Sequence, residues 1–139
     1  MKKRYRVLII SILFIVTGCA AKNNSYQEKM YTLSSALTKL SSAVEATVRY
    51  TQVDQNISDE KLLELATQHD PSLKEPFNEY SVKILQQNRH AIVLICTKDE
   101  KGALFEDAGC SAQMDYHRWL PKELPPCEFT MTSEVCTHY

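Results

Sequence analysis

Four cysteines in the later part of the chain, Cys96, Cys110, Cys127 and Cys136, are the residues best able to do covalent chemistry. Residues of this type ligate zinc, exchange disulfides or staple a fold. No CxxC pair occurs, so the adjacent dithiol of thioredoxin-like exchange is missing. Spacings of 13, 16 and 8 intervening residues fit two structural disulfides better than a metal site. Four cysteines allow three connectivities, and short loops favour Cys96–Cys110 with Cys127–Cys136. The histidines, His69, His90, His117 and His138, include no i,i+4 pair and no HExxH, so no metal ligand set is expected. His90 opens an apolar run and reads as a satisfied boundary residue. Glu106-Asp107 is a carboxylate pair only in sequence, because neighbours on a strand point to opposite faces; a solvated strand end is expected there. With no GxSxG and no phosphate-cradling loop, neither a catalytic residue nor a cofactor is expected. One cluster has binding chemistry. In Met114-Asp115-Tyr116-His117-Arg118-Trp119, the residues Tyr116, Arg118 and Trp119 are of the types that dominate interface hot spots, although the same residues also suit the core and rim of a small domain.

The amino terminus carries a different signal. Lys2, Lys3, Arg4 and Arg6 precede an apolar run, Val7 to Val16, of about ten residues, where a spanning helix needs about twenty. Polar residues follow at once, so the run reads as the core of a signal peptide. Val16-Thr17-Gly18-Cys19 then sets a branched apolar residue and two small residues before a cysteine. This resembles the lipobox of bacterial lipoproteins. The resemblance implies a diacylglyceryl thioether on Cys19, cleavage after Gly18 and acylation of the new amino terminus. Two or three acyl chains anchor firmly where one would be marginal. Ala20, rather than Asp, after the cysteine implies the outer membrane by the sorting rule of Gram-negative lipoproteins.

Removing residues 1–18 leaves 121 residues, enough for one small domain that gains from covalent staples. The signal takes four of the sixteen basic residues and none of the seventeen acidic ones, so the net charge falls from −1 to −5. An acidic chain is a poor partner for nucleic acid or anionic headgroups. Lipidation of Cys19 leaves the four remaining cysteines as an even set in an oxidising compartment, which favours disulfides.

The elements that must position these residues divide into helices and then strands. Residues 19–25 read as a lipidated tether and 26–139 as a single periplasmic domain. Tyr26 to about Gln52 contains no Gly or Pro and places Met30, Leu33, Leu37, Leu40 and Val44 at gaps of three and four, the seam of a heptad pattern. Leu33-Ser34-Ser35-Ala36-Leu37 and Leu40-Ser41-Ser42-Ala43-Val44 repeat at a spacing of seven. The stretch is similar to the heptads of the trimeric murein lipoprotein, which implies self-association or partner binding through Leu33, Leu37, Leu40 and Val44. The alternative is an amphipathic helix covering its own sheet. Ser58 predicts the N-cap of a second helix over 59–69, ended by Asp70-Pro71. From Glu79 the period becomes two, and an antiparallel meander is expected. It comprises Tyr80–Leu85, the apolar His90–Thr97 at its centre, Ala103–Glu106 after a charged turn in which Gly102 takes positive φ, and a last strand over Cys127–Met131. The fold class is α+β: a long helix and a second helix packed on a three- to four-stranded antiparallel sheet, stapled by two disulfides.

Small lipoproteins that pilot secretins or brace secretion and pilus machinery have this size, anchor and mixed architecture. That similarity implies an outer-membrane-anchored, periplasm-facing protein without catalytic function, acting on an envelope protein partner or on itself through the long helix. A second reading is a periplasmic binding module or inhibitor using residues 114–119.

Overall fold

Two tight hairpins build the sheet. In the computed structural model, which describes residues 20–111, 113–115 and 118–137, strand β1 (Tyr80–Gln87) pairs antiparallel with β2 (His90–Thr97). Their connection is two residues, Asn88 and Arg89, both at positive φ (54° and 63°), the geometry of a type I′ turn whose twist matches that of the strands. β2 pairs in turn with β3 (Ala103–Ala108), and β3 with a two-residue β4 (Met114–Asp115), giving the order β1-β2-β3-β4. The central strand β2 is buried from Ala91 to Cys96, as expected of an apolar run without alternation. In the turn after β2 it is Glu100, not Gly102, that takes positive φ (57°). Gly102 serves a different need: a Cβ there would lie 2.6 Å from Leu124 Cδ1.

Helix α1 spans Ala20–Tyr50. The expected tether over residues 20–25 is therefore helical, consistent with the strong helix propensity of Ala20-Ala21-Lys22 and the absence of Gly or Pro. The chain divides into two units, one ending at Thr32 and one beginning at Leu33, and the sheet belongs to the second. No helix among the described residues is long and apolar enough to cross a membrane. Helix α2 (Asp59–Ala66) begins where expected, with Ser58 accepting a hydrogen bond from Lys61 N, and ends three residues early at the C-cap Thr67; a separate 3-10 turn capped by Asp70 follows over Pro71–Leu73. Its Leu62 is buried, and its Asp59 Oδ2 accepts from Ile84 N on the outer edge of β1.

The sheet has two differently covered faces. Val93 and Asp107 are cross-strand partners and share one face; Leu94 and Glu106 share the other. α1 covers the first face, with Ser41 reaching Asp107 and Glu45 reaching the start of β2. The second face is covered by the irregular segment 118–131. There Leu94, Cys96 and Ala103 pack against Cys127 and Phe129, and Ala103 N donates to Pro125 O at 2.8 Å. No strand forms over Cys127–Met131; that segment crosses the sheet face instead of extending its edge, and β4 occupies the edge.

The two disulfides are Cys96–Cys127 and Cys110–Cys136, not the short-loop pairs. The sheet register forbids the expected pairing. Cys96 lies at the far end of β2, whereas Gly109 N bonds Ala91 O and so places Cys110 beside the near end. About five strand residues separate those positions, on the order of 17 Å, while a disulfide tolerates Cα atoms no more than about 7 Å apart. Each cysteine is joined instead to the carboxy-terminal segment that passes beside it.

Candidate functional site

Among the described residues, those with binding or covalent chemistry do not converge on one exposed site. Leu33, Leu37, Leu40 and Val44 are all buried within the domain's own core. This corrects the expectation of a free partner-binding stripe. Ser41, Glu45 and Val48 are buried with them, so the buried face follows gaps of three, four, seven and eight. That is the broad stripe of a globular helix, whereas a coiled-coil seam is narrower.

Arg118 and Trp119 are also buried, which for these two favours the reading as core and rim over the binding patch; Tyr116 and His117 lie outside the described residues, as do Val16–Cys19 and His138. Arg118 is held by the sheet. Its Nη1 donates to Glu106 Oε2 at 3.0 Å, and its Nη2 donates to Glu128 O at 3.0 Å. Glu106 further accepts from Thr130 N, Thr130 Oγ1 and Met131 N at 2.5–3.1 Å. The expected solvated strand end is thus a buried clasp. A carboxylate with four donor groups holds the irregular segment onto the sheet, where no ladder of backbone hydrogen bonds could do so.

On the opposite face, Asp107 accepts from Ser41 Oγ of α1. Burial pushes its carboxyl up to about 6, and the single hydroxyl only partly opposes that rise. One helical turn on, Glu45 Oε1 meets His90 Nδ1 at 2.6 Å, and Glu45 Oε2 accepts from Ala91 N at 2.7 Å. Gly109 lies under this pair of side chains, where a Cβ would come within 2.7 Å of Glu45 Cβ and collide with the Ser41 carbonyl. His90 is a satisfied boundary residue, as expected, with a side chain 17% exposed. An imidazole nitrogen of His90 and the sulfurs of Cys110 and Cys136 lie within 4.8 Å of one another. This seam brings together a serine, two carboxylates, a histidine and a disulfide. Ser41 is fully buried, so it is no nucleophile for an outside substrate.

A concave groove of about 590 Å³ lies between α2, the 3-10 turn Glu75–Phe77 and β1. Leu63, Phe77 and Val82 give it an apolar floor, and Asp59, Glu60 and Lys74 line it with charge. Lys83 Nζ is tied to Glu100 Oε2 at 2.9 Å, and Ser81 Oγ donates to Glu100 Oε1 at 2.9 Å. These two contacts hold the exposed Glu100 carboxyl below its ordinary range, Lys83 contributing most. Asp59 moves the other way, raised by its partial burial.

Sequence reasoning missed Ser41, Glu45, Glu106 and Asp107 as buried polar groups. A usable signal existed for the first two. They stand four apart on the same helical face as Leu37, Leu40 and Val44, so they enter the core unless the stripe is narrow. No protein-family model matches this chain, and neither a curated protein nor a solved structure matches it.

Proposed function

We propose that this chain is a periplasm-facing lipoprotein, anchored in the outer membrane through diacylglycerol on Cys19, that serves without catalysis as an interaction or assembly factor for an envelope complex. The observation carrying this reading is Val16-Thr17-Gly18-Cys19 at the end of a short apolar run with a basic leader. Two disulfides in the folded domain agree with an oxidising compartment. Among the described residues the buried Ser41, Glu45, Glu106 and Asp107 and the half-buried His90 bond within the fold, which fits a structural rather than a catalytic use.

Metabolic labelling with a palmitate analogue in the native cell tests the anchor. Label on the wild-type chain and none on Cys19→Ser is expected, with the variant released into the soluble fraction. An unlabelled wild-type chain would overturn the reading. For the interaction, a photo-crosslinking residue at Lys74 or Glu60 should capture an envelope protein in the wild type and lose it in Cys19→Ser.

The alternative of a periplasmic binding module rests on the groove between α2 and β1, since residues 118 and 119 are buried. Its apolar floor with Asp59 and Glu60 alongside suits a short peptide bearing an apolar residue next to a cationic one. Retained peptide binding in Glu60→Gln together with Leu63→Ser would argue against it.

A further inference from the structure

Sequence spacing offers no reason to expect a metal site, yet the fold gathers three residues of ligand type that are far apart in the chain. An imidazole nitrogen of His90, Cys110 Sγ and Cys136 Sγ all lie within 4.8 Å of one another, the one such cluster containing cysteine among the described residues. His90 and Cys110 are half-buried and Cys136 is buried, so the cluster sits at the domain's boundary. In the oxidised protein the two sulfurs are bonded to each other and are poor ligands.

We propose that His90, Cys110 and Cys136 form a redox-gated site for a soft or borderline divalent cation such as Zn²⁺, closed while the disulfide is intact and opened when a dithiol reduces it. The exchange balances simply. A dithiol thiolate attacks one sulfur of Cys110–Cys136, its second thiol resolves the mixed disulfide, and the dithiol leaves as a cyclic disulfide. Two electrons and two protons are thereby delivered to the protein as two thiols, whose protons are released when the cation binds.

Geometry and ligand chemistry fit. Tetrahedral zinc takes thiolate at about 2.3 Å and imidazole at about 2.0 Å, so its donor atoms stand about 3.5–3.8 Å apart. The Cα atoms of Cys110 and Cys136 are 5.6 Å apart, so once the sulfur–sulfur bond is broken their side chains need only rotate to open that gap. The nitrogen already lies inside the required range plus about 1 Å. The His90 ring is also fixed: its Nδ1 meets Glu45 Oε1 at 2.6 Å, a carboxylate–histidine contact of the kind that sets a ligand's tautomer and keeps Nε2 as the nitrogen for a cation. Glu45 is itself fixed by Ala91 N. Two thiolates neutralise the divalent charge, and three protein ligands leave the fourth position to water.

The test uses the purified full chain, oxidised or reduced without oxygen by a water-soluble phosphine, and titrated with Zn²⁺ or with Co²⁺ as an optical reporter. The oxidised chain should take up neither ion. The reduced chain should take one Zn²⁺, give tetrahedral thiolate bands with Co²⁺, and show Cys110 and Cys136 protected from alkylation by Zn²⁺ while Cys96 and Cys127 react. His90→Ala should weaken Zn²⁺ binding at least ten-fold, and Glu45→Gln about ten-fold with the cobalt bands retained. No uptake by the reduced chain, protection of Cys96 and Cys127 instead, or unchanged affinity in His90→Ala would each overturn the proposal. Should reduction unfold the chain, Zn²⁺ must restore its circular dichroism, and a chain left unfolded by Zn²⁺ overturns it too. These outcomes are independent of whether Cys19 carries lipid.

Discussion

Glu106 and Asp107 are neighbours on one strand, both buried, and they meet opposite fates. Glu106 faces the irregular carboxy-terminal cover and is surrounded by a guanidinium, a hydroxyl and two backbone N–H groups. Asp107 faces α1 and meets one serine hydroxyl, and burial pushes it up to about 6. The difference teaches what each face requires. A helix brings its own backbone hydrogen bonds and asks only to be seated, whereas an irregular segment must have its orphan donors satisfied by something buried. The carboxylate with four donor groups lies where the backbone needs an acceptor. The under-solvated one lies where it does not.

The largest effect should come from breaking the clasp. Glu106→Ala leaves the Arg118 guanidinium buried without a counter-charge and frees two backbone donors, so a loss of about 3–5 kcal/mol is expected in denaturant unfolding. A loss below about 1 kcal/mol would mean that the cover is held by packing alone. The disulfides follow. Cys96–Cys127 and Cys110–Cys136 close loops with sequence separations of 31 and 26, so loop entropy alone assigns each about 3–4 kcal/mol. Replacing each pair by alanine in turn compares the staple of the irregular cover with the one beside the α1 seam. Unequal losses would reveal how far each face is already ordered without its bridge.

Asp107 should show in the pH dependence. Its folded-state value, about 6, lies above its ordinary 3.8, so the folded state binds the proton more tightly. Folding stability therefore rises as pH falls through 6 towards 4, with a full span on the order of 2–3 kcal/mol, and the burial penalty persists above pH 6. Asp107→Asn should flatten that part of the stability profile and be more stable than the wild type near pH 8. A profile equally steep in both proteins would assign the effect to another group. The smallest effects should be the two glycines. Gly109→Ala meets helix backbone and should cost towards the upper end of about 1–3 kcal/mol, while Gly102→Ala meets Leu124 Cβ as well as its tip, so the irregular segment must shift, and should cost towards the lower end. The reverse order would mean that the irregular cover is the more rigid face.

Much of the fold could be read from the residues in order. Apolar His90–Thr97 marked the central strand to the residue, and Ser58 marked the start of α2, because both signals are local. Part of the disulfide pairing is legible in the meander: antiparallel strands place Cys96 and Cys110 at opposite ends of β2, which excludes their union despite the short loop between them. The clasp left no such trace. Glu106, Arg118 and Thr130 are 12 and 24 residues apart with no periodic relation, and nothing in those spacings says that they meet.

By itself the sequence determined the α+β class, the capping of α2, the burial of β2 and the even set of cysteines; it also carries Val16-Thr17-Gly18-Cys19, the stretch on which the proposed anchor depends. These rest on hydrophobic period, side-chain chemistry within a turn or two, and residue count, all of which are properties of neighbours along the chain. Only the tertiary structure decided that the α1 stripe serves the domain's own core, that Arg118 and Trp119 face inward, which sulfurs join, and that His90 stands beside Cys110 and Cys136. The physical reason is that burial and ligand convergence depend on what the sheet register carries across space. Segments tens of residues apart meet there, and their spacing in the chain does not record it.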